Sequence, residues 1–134
     1  MKSRALSLII LWMVWMVWMP FSLPAQITEV MRAVREGNAA QIAEHLSATV
    51  EVATPDYAGN FGQRQAREIL AGFFNGQRPT ELVQRSLVET NGARHYIGQV
   101  RMQGGQAYRV VIQTFRDAQS QRELVRVIRF ENER

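Results

Sequence analysis

The spacing of the apolar residues changes once along this chain, and the change falls at Pro79. Before it the spacing is helical. Ile27, Val30, Met31 and Val34 stand at i, i+3, i+4 and i+7, which is one face of a helix. Ala66, Ile69, Leu70 and Phe73 repeat the 3–4 pattern. From Thr80 onward the period shortens to two. That stretch is broken by Asn91-Gly92 and Gly104-Gly105, the dipeptides of two-residue hairpin turns. Helices followed by a run of strands specify an α+β architecture and exclude a parallel βαβ sheet.

The boundaries follow from cap and turn chemistry. Thr28 is expected to cap the first helix and Gly37 to stop it. Asn38 is expected to cap a second helix, with Gln41 three residues on, whose apolar face is Ile42, Ala43 and Leu46. Thr49 to Thr54 reads as a strand ended by Pro55, and Asp56 to Asn60 as a turn. A third helix runs from Gln63 to Phe74 and ends at Asn75-Gly76. Four antiparallel strands follow, the last from Glu123 to Glu131.

Hairpin register assigns the sheet faces. An Asn91-Gly92 turn sets Glu89 opposite Arg94, Leu87 opposite Tyr96 and Val83 opposite Val100. A Gly104-Gly105 turn sets Val100 opposite Arg109. One face then carries Val83, Leu87, Tyr96, Val100, Met102, Val111 and Phe115, together with Arg85, Arg94 and Arg109. The other carries Leu82, Val88, Ile97, Tyr108, Val110 and Ile112. In the last strand Val125 and Val127 are out of phase with Ile128 and Phe130, which predicts a β-bulge near Arg126.

The N-terminus reads as a secretory signal. Lys2 and Arg4 precede an apolar run from Ala5 to Met19, the breaker Pro20, and a cleavage site ending at Ala25. A run of about 15 residues is shorter than the roughly 20 of a membrane span. The division expected is residues 1–25 as signal peptide and 26–134 as one domain, periplasmic or secreted, with membrane attachment only if the leader is retained. Formal net charge is +4 over 134 residues. Beyond the leader fourteen arginines face twelve acids. They are dispersed, which speaks against a nucleic-acid partner. There is no cysteine, hence no disulfide or thiolate metal site.

The order helix-helix-strand-helix-four strands resembles the NTF2-like, cystatin-like cone: three N-terminal helices on a curved antiparallel sheet. Closer still, Val34-Arg35-Glu36-Gly37-Asn38-Ala39, Ile42-Ala43-Glu44-His45-Leu46, the double Phe at 73–74, Asn91-Gly92-Ala93-Arg94 and Ile128-Arg129-Phe130-Glu131 are similar to the DUF4783 family of exported Bacteroidetes proteins. His95 stands where that family's pattern has a small or aliphatic residue. The resemblance implies a fold and a source but no assigned activity.

Superfamily resemblance implies an apolar pocket between sheet and helices, used by some members for isomerase or lyase chemistry with an Asp or His base. Asp56 and Tyr57, at the turn after the first strand, are the candidate base and oxyanion donor. Arg85, Tyr96 and Arg109, placed on one face, are candidates for binding an anionic ligand. His45 and His95 are far apart and lack carboxylates at metal spacing, so no metal site is expected, and nothing calls for a cofactor. The expected role is a non-catalytic module that binds a small apolar or anionic ligand or a partner; the alternative is the Asp56/Tyr57 isomerase or lyase. Leu82, Ile97, Tyr108, Val110 and Ile112 are expected to form an outer face that pairs two copies.

Overall fold

A computed structural model describes residues 25–133. The leader's basic residues, apolar run and Leu23-Pro24 lie outside the described residues. Three helices and six strands follow in order: α1 (Ala25–Glu36), α2 (Ala39–Glu44), β1 (Leu46–Ala53), β2 (Ala58–Gly62), α3 (Gln63–Asn75), β3 (Pro79–Thr90), β4 (Ala93–Met102), β5 (Ala107–Arg116) and β6 (Glu123–Asn132). The class is α+β, as the change of period requires.

Cap chemistry acts largely where it was expected. Asn38 Oδ1 accepts from the Gln41 amide at 3.2 Å. Gly37 turns the chain between α1 and α2 at φ +67°, with its N–H on Val34 O at 3.1 Å and that of Asn38 on Ala33 O at 2.8 Å. Thr28 is not the cap, because α1 begins at Ala25. α2 stops at Glu44, and Leu46 opens β1 instead of continuing the helix. The segment expected as a turn supplies β2. Only Thr54 to Tyr57 form the turn, closed by the Thr54 amide on Tyr57 O at 2.7 Å and the Tyr57 amide on Thr54 Oγ1 at 3.1 Å.

The sheet runs β2-β1-β6-β5-β4-β3. All neighbours are antiparallel except β1 and β6, which pair in parallel. The wholly antiparallel sheet expected from the hairpins is therefore corrected to a mixed one. The Asn91-Gly92 turn holds as expected, with positive φ at both residues and Glu89 opposite Arg94. Further along, Arg85 is an extra residue between Gln84 and Ser86. Leu82, not Val83, therefore meets Val100. Gly98 makes the bulge feasible, since a Cβ there would stand 2.8 Å from Val83 O.

The second turn corrects the face assignment. Met102 N–H bonds Gln106 O at 2.8 Å and Gly105 N–H bonds Met102 O at 3.0 Å, with Gly105 at φ +90°. The loop therefore holds three residues, Gln103 to Gly105, and Val100 pairs with Tyr108. A one-residue slip exchanges every side chain between faces. Tyr108, Val110 and Ile112, expected on the outer face, are 4%, 1% and 1% exposed in the core. Val111 and Phe115 move outward with Arg109. The bulge at Arg126 is present, between the pairs Gln113–Val127 and Thr114–Val125.

The helices pack on the face that carries Tyr96, Val100, Tyr108, Val110, Ile128 and Phe130. Phe73 lies 4.7 Å from Phe130 and 5.3 Å from Tyr108 between ring centroids, and Phe74 lies edge-on to Phe130 at 5.7 Å. These rings fill the space between α3 and the sheet. Replacing Phe130, 2% exposed, by Ala is expected to cost about 3–5 kcal/mol, read from urea midpoints. Gly72 on α3 has nothing within 4 Å of the position its Cβ would occupy. Since glycine is about 1 kcal/mol worse than alanine inside a helix, Gly72→Ala is expected to stabilise the fold by that order in the same measurement.

Candidate functional site

α3 separates two cavities. On one side the turn between α1 and α2 meets the linker from α3 to β3. The approach is close: a Cβ at Gly37 would lie 3.1 Å from Pro79 Cδ and 3.5 Å from the Phe74 ring. Above that contact opens a cavity of about 760 Å³, with Ala39, Ala71, Gly72 and Phe74 among its walls. Arg67 from α3 and Arg78 from the linker line it, as do Asn38, Asn75 and one acidic residue, Glu36. The linker is anchored on both sides of its arginine. Gln77 Nε2 donates to Tyr108 Oη at 3.0 Å, and Arg78 O accepts from Gln103 N–H at 2.8 Å. Among the described residues neither Arg67 nor Arg78 has a carboxylate within 4 Å. Two guanidiniums with unused forks suit a carboxylate or phosphate.

On the other side of α3 lies a cavity of about 370 Å³, lined by Thr54, Asp56, Tyr57, Gln65, Glu68, Ile69, Gly72 and Phe73. Asp56 and Tyr57 thus line a cavity beside α3, not a pocket between the sheet and the helices, where aromatic rings fill the space. Tyr57 is 58% exposed and Asp56 is also in solvent. Glu68 adds a second carboxylate that the sequence did not mark, and no basic side chain lines the cavity.

The arginine set is divided by the register. Arg94 and Tyr96 share the helix-covered face, while Arg85 and Arg109 lie on the outer face, on either side of Gln99. Arg85 hydrogen-bonds the Gln99 side chain, and Arg109 pairs with Gln99 across strands. Around Arg94 the inner face forms a polar network that the sequence did not disclose. Thr114, 1% exposed, donates to Glu123 Oε1 at 2.5 Å. Glu123 Oε2 lies 3.9 Å from Arg94 Nη1, and Glu89 Oε1 lies 3.6 Å from Arg94 Nε. Burial pushes the Tyr96 hydroxyl above its ordinary value, against the opposing pull of the Arg94 hydrogen bond. The same hydrogen bond, and the Glu123 charge, raise Arg94.

Of the two histidines, His45 pairs outside this network and His95 stands between Arg94 and Tyr96 in the chain. His45 is buried with Nε2 at 3.3 Å from Glu29, and His95 lies across from Gln113 on β5. Among the described residues no group of His, Asp and Glu is arranged to hold a metal ion. For Tyr96 the sign is definite. A phenol held neutral by the fold contributes stability below the ordinary value of about 10 and loses it as pH rises through the raised value. Ultraviolet titration is expected to show a late-ionising phase that Tyr96→Phe removes.

Comparison with known proteins agrees with this fold. The model of a family described as "Domain of unknown function (DUF4783)" matches residues 27–131. A DUF4783 family protein from Bacteroides fragilis YCH46 superposes with TM-score 0.72 at 18% identity, over 84% of this chain and 100% of that one. One from Bacteroides uniformis ATCC 8492 gives 0.72 at 17% identity, over 80% and 96%. An NTF-2 like protein of unknown function from Silicibacter pomeroyi DSS-3 gives 0.56 at 5% identity, over 81% and 91%. No curated protein matches the sequence. With a family model spanning all of the described helices and strands but their outermost residues, the chain belongs to the DUF4783 family, on an NTF2-like fold.

Proposed function

We propose that the protein is a non-catalytic binding module, exported to the periplasm by its leader, whose cavity at Arg67 and Arg78 receives a small anionic ligand. The carrying observation is that two arginines, neither paired with a carboxylate among the described residues, line one cavity together with the small residues Ala39, Ala71 and Gly72. The lining is more polar than apolar, and unpaired guanidiniums in it suit a carboxylate or phosphate. The location on the flank of α3 is supported by the packing of the interior. Phe73, Phe74, Tyr108 and Phe130 occupy the space between helix and sheet, so a ligand meets α3 from outside. The fixed linker holds Arg78 ready without ordering on binding, which preserves affinity.

Hydrogen bonds to a charged partner contribute about 1.5–3 kcal/mol each. Calorimetric titration of the full chain with N-acetylglutamate is expected to show binding that Arg67→Gln weakens about tenfold or more. The Arg67→Gln, Arg78→Gln double variant, folded by circular dichroism, is expected to lose it. Unchanged binding in the double variant would refute the site.

A further inference from the structure

We infer that the ligand is an extended dipolar peptide segment that crosses α3 over Gly72, with its acidic group at Arg67 and Arg78 and its basic group in the cavity of Asp56, Tyr57 and Glu68. The inference rests on the anion site proposed above and adds the second half of the ligand. Gly72 lines both cavities, so the two adjoin across the helix at that residue. Their charges are opposite. The first holds two arginines and one carboxylate, Glu36; the second holds Asp56 and Glu68 with no basic side chain. Among the described residues neither Asp56 nor Glu68 is in an ion pair.

The second cavity also suits the apolar stem of a basic side chain. Ile69 and Phe73, both partly buried against the core, line it. Tyr57, the most exposed large hydrophobic side chain among the described residues at 58%, offers a ring face to a cation. Its open wall could not enclose a small free cation, whereas a chain entering from the first cavity arrives already held.

Helix geometry sets the crossing. Glu68 and Asn75 project from the exposed side of α3 seven residues apart, roughly 10 Å along the axis at 1.5 Å per residue. Between them stand Ala71 and Gly72, so the pass has a low floor. Gly72 has no internal reason to lack a side chain, since a Cβ would meet open space. It costs helix stability and keeps the pass clear. A helix is about 10–12 Å across with its side chains, and an extended residue spans about 3.3–3.6 Å. The two charges of the ligand therefore stand about three residues apart.

The test is titration of the full chain with terminally blocked Glu-Ala-Ala-Lys and Lys-Ala-Ala-Glu, and with blocked Glu-Ala-Ala-Ala as the anion-only control. At least one dipolar peptide is expected to bind tenfold or more tighter than the control. That advantage should vanish in the Asp56→Asn, Glu68→Gln double variant, which should bind N-acetylglutamate as the parent does. Gly72→Ala should bind the dipolar peptide more weakly although it is the more stable protein, and Gly72→Leu more weakly still. Equal binding of dipolar and anion-only peptides would overturn the crossing and leave the anion site standing. A dipolar advantage that survives the double variant would overturn it as well. If N-acetylglutamate and all three blocked peptides bind undiminished to the Arg67→Gln, Arg78→Gln variant, the anion site itself fails and the crossing with it. Unblocked tetraglycine separates the sources of such a ligand: binding as tight as the better blocked peptide supports free oligopeptides, and weaker binding supports an internal segment of a larger chain.

Discussion

The parallel pairing of β1 with β6 organises this molecule. The two strands are separated by most of the described chain, so bringing them together closes a long loop against conformational entropy. Apolar burial offsets that cost. Leu46, Val50 and Val52 on β1 are 1%, 0% and 0% exposed, and Val125 and Ile128 on β6 are 1% and 0%. The Val125 amide extends the ladder to His45 O at 2.7 Å, and Arg129 pairs with Glu51 across the seam on the outer face. Without this pair β1 and β2 would be an isolated hairpin, which is marginal in water, and α3 would have no floor.

Everything proposed for binding derives from how that seam places α3. The helix follows directly from β2, which among the described strands pairs only with β1, so its direction is set by the seam. One flank faces the turn of Asp56 and Tyr57 at the end of β1; the other faces the α1–α2 turn and the linker into β3. The charges gathered on the two flanks come from four separate stretches of sequence. None is near another along the chain except Arg67 and Glu68, helix neighbours that line different cavities.

The local features of the fold were legible because they depend on short-range chemistry. The Asn38 cap, the Asn91-Gly92 hairpin, the Arg126 bulge and the extent of α3 all rest on a few adjacent residues. Besides the parallel β1–β6 pairing and the ends of α1 and α2, three features were not legible. β2 carries one large apolar residue, Phe61, between glycines and an asparagine, so an edge strand looked like a turn. Gly104-Gly105 imitates a two-residue turn while Gln103 belongs to the loop, and that single residue reversed the face of β5 and divided Arg109 from Tyr96. The extra residue at Arg85 shifted β3 in the same way. The candidate site shared this uneven legibility. Asp56 and Tyr57 were recognisable from the turn that presents them. Arg67, Arg78 and Glu68 were not, because a charged residue on an exposed helix face or linker carries no sign of which cavity it borders.

The bulge at Arg85 has a consequence for how the molecule behaves among copies of itself. β3 is one edge of the sheet, opposite β2; it is twelve residues long and exposes Val83, Leu87 and Val88 at 42%, 50% and 49%. A straight edge of that length and composition would template the addition of further strands and seed aggregation. The extra residue breaks the edge's hydrogen-bonding rhythm in the middle and leaves no long uninterrupted row of donors and acceptors on either side. Gly98, on the neighbouring strand, is what allows the chain to deform there. The residue that makes register hard to read from sequence is thus also the one that keeps an apolar edge strand from recruiting its neighbours.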